Sequence, residues 1–152
     1  MKKKYFLIGF VAFLLIIQLF RIDKTNPTVD IKKDFIAISN PPQEIASIIK
    51  TSCYDCHSNE SVYPWYANVA PVSWYLKNHI IEARNRVNFS EWADYRPDKA
   101  KRKLEACAED IEEGYMPLSS YTLMHSNAKI SSEQAKLVGQ WFKDLSQNTV
   151  SQ

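Results

Sequence analysis

An all-helical fold is predicted for this chain, and three observations predict it. Apolar residues recur three and four apart in the long stretches between breakers. Prolines, a glycine and capping side chains fall at helix-length intervals. No run alternates apolar and polar residues with period two, so no strand is expected. At 152 residues, with no internal repeat or low-complexity tract, one domain is the prior.

The first element is an apolar segment. Met1-Lys2-Lys3-Lys4 leads into the run from Tyr5 to Phe20, interrupted by Gln18. Its sixteen residues are few for a spanning helix and many for a signal core. Reaching Ile22 brings it nearer spanning length. Cleavage wants small residues after the run, and Leu19-Phe20-Arg21-Ile22-Asp23 supplies bulky and charged ones. Residues 1–22 are therefore expected to be an uncleaved signal anchor, a transmembrane helix. The lysines would stay in the cytoplasm and the rest would lie outside. Residues 23–42 read as a tether, marked by Asn26-Pro27 and Asn40-Pro41-Pro42. Val29, Ile31, Phe35, Ile36 and Ile38 make it too apolar to be freely solvated, so part of it should lie against the domain.

That domain is expected over 43–146, with 147–152 as a C-terminal tail. Helix one starts after Pro41-Pro42 and reaches about Cys56. An aromatic loop follows, from Tyr63-Pro64-Trp65-Tyr66 to Pro71. Ser73 caps a second helix of about 74–87, striped by Leu76, Ile80, Ala83 and Val87. Asn88-Phe89-Ser90 breaks it, and Ser90 caps a short turn at Glu91-Trp92. Pro97 opens a third helix of roughly 98–113, which Gly114 ends. A short helical stretch is placed at Ser120 to His125. Ser131 and Gln134 form a capping box that starts the last helix, running to about Leu145 with Ala135, Val138 and Phe142 inward.

Within this frame lies Cys53-Tyr54-Asp55-Cys56-His57, a C-x-x-C-H pentapeptide. That is the attachment signature of a c-type haem: two thiols add to the vinyl groups and the histidine ligates the iron. On a helix the three side chains share a face, which continues upstream through Ile45, Ile48, Ile49 and Ser52. A thioredoxin-like pair would need a βαβ setting, and a zinc site a second ligand pair; the sequence has neither. A structural disulfide is the plain alternative. The expected cofactor is one covalently attached haem c. Attachment takes place outside the cytoplasm, in agreement with the anchor.

The second iron ligand decides the chemistry. Met116 is favoured because Gly114-Tyr115-Met116-Pro117 forms a loop between two helices from which a thioether can extend inward. Core filler is its other reading. Met124 is the second choice. His79 lies near the stripe of helix two and reads as a packed or surface histidine. His125 would give a bis-histidine site of lower potential. His57 should bind through one ring nitrogen while the other donates to a backbone carbonyl. Trp65, Trp74, Trp92, Trp141 and the tyrosines beside them read as core and pocket walls. Cys107 falls with Leu104, Ala108 and Ile111 on one face, the pattern of a small buried apolar residue.

The net charge of +2 hides an asymmetry. Lys2, Lys3, Lys4 and Arg21 precede every acid, so residues 23–152 carry 15 bases against 17 acids. No basic face or stripe is evident, and nucleic acid is not an expected partner.

The run Cys53 to Asn59, together with Tyr63-Pro64-Trp65-Tyr66, Ala70-Pro71-Val72-Ser73-Trp74 and Asn88-Phe89-Ser90-Glu91-Trp92, resembles the bacterial haem-binding domain family. Gly114 to Pro117 and Tyr121 to His125 resemble its later motifs. The resemblance covers about residues 40–145. It implies a small c-type haem protein anchored by a single pass in the bacterial inner membrane, with the haem domain on the periplasmic side. The order of parts is also similar to small cytochromes c, from which the aromatic and Asn-Phe-Ser-Glu-Trp segments depart. One-electron transfer is the expected function, with redox partner proteins that include a cytochrome c peroxidase-like or respiratory component. The alternatives are a peroxidase-like enzyme or sensor with a labile distal ligand, and a module that uses haem only as its core.

Overall fold

A computed structural model of the chain describes residues 2–148. Met1 and positions 149–152 of the expected tail lie outside them. Every regular element among the described residues is helical, as predicted.

Helix α1 spans Lys2–Ile17 and exposes apolar side chains along most of its length, with Phe6 78% exposed and Ile17 buried at its end. The expected spanning helix to residue 22 does not form. Sixteen residues at 1.5 Å each give about 24 Å, against about 30 Å of hydrocarbon. Among the described residues no helix is long and apolar enough to cross a membrane. The local cause is Gln18. Its Nε2 donates to the Leu14 carbonyl at 2.9 Å and to the Ala70 carbonyl at 3.0 Å, while the Ala70 amide donates to its Oε1 at 2.9 Å. The chain thus leaves its helical path to dock on the rest of the molecule. The Trp74 indole adds a bond to the Phe20 carbonyl at 2.8 Å.

The segment expected as a tether is stitched down. Asn26 Nδ2 donates to the Ser61 carbonyl at 2.8 Å, and Arg84 Nη2 donates to Asn26 Oδ1 at 2.9 Å. A 3-10 turn, Ile31–Lys33, precedes α2, Phe35–Ser39. Asp34 caps α2 by accepting from the Ile36 and Ala37 amides, and it also accepts from the Tyr54 hydroxyl at about 3 Å. Phe35 is wholly buried, with ring centroids 5.0 Å from Phe89, 4.6 Å from Trp92 and 5.9 Å from Phe142. The core therefore includes residues ahead of position 43.

Helix α3, Gln43–Ser52, buries Ile45 and Ile49. It does not continue to Cys56. Cys53 departs from helical geometry, and a separate turn, α4, holds Tyr54–His57. Helix α5 runs Val72–Arg86, starting at Pro71, with the expected cap Ser73 buried inside it. A 3-10 segment, Phe89–Asp94, stands where the Glu91-Trp92 turn was expected. Helix α6, Pro97–Glu112, buries Ala100, Leu104, Ala108 and Ile111. Gly114 ends it at φ +74°, a left-handed geometry natural to glycine. The expected Ser120–His125 stretch divides into α7, Ser119–Thr122, and a 3-10 turn, Ser126–Ala128. Helix α8, Ser132–Asn148, outruns its expected end and lies along α6. Its capping box is formed: the Ser131 amide donates to Gln134 Oε1 at 2.8 Å and the Gln134 amide to Ser131 Oγ at 3.2 Å. The helices approach closely at Gly139, where a Cβ would stand 2.7 Å from Glu112 Oε1.

Candidate functional site

The α3–α4 junction sets the site. The Cys56 and His57 amides both bond to the Cys53 carbonyl, at 3.2 and 2.9 Å, so one tight turn carries all three motif residues. The Ser58-Asn59 loop after it is fixed by the last turn of α5 and the segment that follows. The Asn59 amide donates to Ser90 Oγ at 3.0 Å, Asn88 Nδ2 to Asn59 Oδ1 at 2.9 Å, and Arg84 Nε to the Ser58 carbonyl at 2.7 Å. Arg84 went unremarked in the sequence, because an arginine near a helix end reads as a solvated charge.

His57 Nδ1 lies 3.1 Å from the carbonyl oxygens of both Ala83 and Val87. Both are acceptors only, so Nδ1 carries the hydrogen and donates to them. That leaves Nε2 with a free lone pair. Burial pushes the pKa of the ring down, favouring the neutral imidazole that can ligate a metal.

Cys53, His57 and Met116 all line one cavity of about 530 Å³. Its body is apolar, walled by Ile48, Val87, Phe89, Ile111, Val138 and Phe142. Met116 is held toward it by its amide, which donates to the Asp110 carbonyl at 3.0 Å. Arg86, Lys99, Arg102 and Lys103 also line the cavity, with Asp110 as the lone acid. The whole-chain charge gave no sign of such a basic rim. Lys99, Lys103, Ala106 and Asp110 do step by four, three and four along α6, so a helical wheel of that stretch carries the signal.

The other sequence candidates lie elsewhere. Cys56 is half-buried beside the cavity and is not among its lining residues. Met124 is exposed. His79 Nδ1 faces the Tyr75 carbonyl at 3.0 Å, and its ring lies 4.0 Å from that of Tyr75. His125 bonds through Nε2 to the Tyr66 hydroxyl at 2.9 Å and stacks on Tyr121. None of these three lines the cavity. Cys107 does line it, rather than being wholly packed away. Burial pushes the Cys53 and Cys107 thiols up to about 12 and Cys56 to about 11, which favours the protonated thiol over the thiolate at neutral pH. Among the described residues no group of three or more His, Cys, Asp or Glu could hold a metal ion.

The cavity fits a flat apolar macrocycle with carboxylate arms. Its volume falls in the roughly 300–1,000 Å³ range of cofactor sites. It offers apolar walls for a ring, an imidazole nitrogen and a thioether for a metal, and cations for acidic groups. A family model described as a haem-binding domain matches residues 12–144. Neither a curated protein nor a solved structure matches the chain.

Proposed function

The chain belongs to the haem-binding domain family, and from that premise we propose that it is a membrane-held c-type haem protein that carries single electrons. The observation that carries the reading is the convergence of Cys53, His57 and Met116 on one cavity with a basic rim. A bound haem supplies a one-electron iron couple. The cysteines Cys53 and Cys56 would hold it, each thiol adding across a vinyl group with no oxidant required. His57 offers Nε2 while Ala83 and Val87 keep the ring from turning. Met116 would offer its sulfur to the iron as a second protein ligand. Arg86, Lys99, Arg102 and Lys103 line the cavity and would meet the propionates. Apolar walls exclude water, which raises the potential by disfavouring the extra positive charge of the ferric state.

Membrane attachment is part of this reading. It is supported by the composition and exposure of α1 rather than its length, since a helix apolar on all sides needs an apolar surrounding. The haem domain would face the periplasm and meet soluble or respiratory redox proteins there.

The test is an optical spectrum of the full chain, oxidised and reduced, made in a host that attaches c-type haem. The expected result is a low-spin spectrum with the weak long-wavelength sulfur-to-iron band. A low-spin spectrum without that band overturns Met116 as ligand, and haem that extracts into acid solvent overturns covalent attachment.

One observation favours a second reading, a site that admits an external ligand. A groove of about 770 Å³ shares Ile111, Met116, Pro117 and Ile130 with the cavity, so Met116 stands in the partition between them. Carbon monoxide binding to the reduced wild-type protein would move the assignment to a sensor or peroxidase.

A further inference from the structure

We propose that the surface around Ala70 rests on a lipid bilayer, so that the haem domain sits on the membrane in one fixed orientation. The proposal builds on the reading that α1 enters the membrane and adds to it which face of the domain the lipid covers.

Three hydrogen bonds join the end of α1 to this surface: two between Gln18 and the Ala70 backbone, and one from the Trp74 indole to the Phe20 carbonyl. The pairing of Gln18 with Ala70 uses both ends of one amide, which fixes the direction of the contact as well as its place. The chain that follows stays attached. Lys24 Nζ donates to Asn68 Oδ1 at 2.6 Å, and Asn26 is held between Ser61 and Arg84. An apolar segment embedded up to Phe20 would therefore carry Ala70 and Trp74 to the membrane surface with it.

The residues beside these two points suit that depth. Trp65, Val69, Val72 and Tyr75 are all exposed, Trp65 to 70%. Large apolar side chains on a solvated surface are common singly. Here four of them flank the two residues that receive the apolar helix. Tryptophan and tyrosine favour the boundary between headgroups and acyl chains, where the ring is apolar and one polar atom stays wet. Arg21, Lys24 and Lys77 lie in the same region and would meet anionic headgroups. The occupant is therefore lipid, continuous with the lipid around α1.

The test uses the full haem-loaded chain in vesicles of phosphatidylethanolamine and phosphatidylglycerol. A nitroxide is placed at Val69→Cys and, as control, at Gln140→Cys on α8; label on the wild-type chain sets the background. Collision rates with oxygen, which concentrates in lipid, and with a nickel chelate, which stays in water, are compared. The expected result is an oxygen-to-nickel ratio several-fold higher at Val69 than at Gln140. Equal ratios in protein that floats with the vesicles overturn the lipid-covered face and leave the anchor intact. Protein that fails to float overturns both. Dipolar broadening between labels at Val69 assigns the surface to a second copy of the chain and also overturns the proposal.

Discussion

His57 enters the cavity with one ring nitrogen already committed, so its orientation does not depend on the cofactor. Met116 has no such restraint on its side chain and is the residue whose loss should be most informative. Met116→Ala is expected to keep covalent haem, lose the sulfur-to-iron band and lower the midpoint potential, as read by redox titration; an unchanged spectrum and potential would remove Met116 from the ligand set. Tyr54 acts on stability instead. Its hydroxyl donates to the buried Asp34, and Tyr54→Phe should cost about 1.5–3 kcal/mol in denaturant melts, the range for a hydrogen bond to a charged group. Burial, then Asp34, pushes the ionisation of Tyr54 up in the fold, whereas the unfolded chain ionises near 10. The stability it contributes is complete below about pH 10 and is lost as pH rises further. Tyr54→Phe should therefore flatten the alkaline decline, and an equally steep decline would acquit Tyr54. At this scale the sequence was informative in singling out Cys53, His57 and Met116, three residues that line one cavity. It was silent on Cys53 as a helix break, because neither glycine nor proline marks it.

Helix α6 approaches α8 at Gly139 and ends at Gly114, and the two glycines serve different roles. Gly114 has open space where a Cβ would go, but its φ of +74° strains any other side chain. Gly114→Ala should lose about 1–2 kcal/mol from the backbone alone, with the haem spectrum unchanged. Gly139 is the reverse case, helical in geometry but crowded by Glu112. Gly139→Ala gains about 1 kcal/mol of helix propensity. It also displaces Glu112 from Lys143, a partly exposed pair worth about 0–1 kcal/mol. The two terms nearly cancel, so thermal melts should show little change for Gly139→Ala and a clear loss for Gly139→Leu, where overpacking costs about 1–3 kcal/mol. Helices α5, α6 and α8 were legible because each carries a 3.6-residue stripe; α6 and α8 also have a recognisable start, whereas α5 begins ahead of its expected cap Ser73. The docking of α6 on α8 was not, since a stripe says that a face is buried but not against what. For the same reason Ile130, Val138 and Phe142 could not be assigned to the cavity.

The unit that folds begins before the pentapeptide by more than its spacing suggests. Phe35 is at the centre of the aromatic core and Asp34 partners Tyr54, so the ten or so residues ahead of α3 belong to the domain. A fragment beginning at residue 43 should melt far below one beginning at residue 23, because losing Phe35 alone removes about 3–5 kcal/mol; equal melting temperatures would show that the segment only lies on the surface. The apolar positions of 23–42 hinted at this, but a short helix between prolines leaves no periodicity to read. The cavity has a related property that concerns time rather than energy. Its walls come from both ends of the domain: Cys53 and His57 from the early part, Val138 and Phe142 from the last described helix. A chain that emerges N-terminus first presents both thiols and the imidazole while that last wall is still to be made. A cofactor offered then meets an open cradle, and the arrival of α8 closes it.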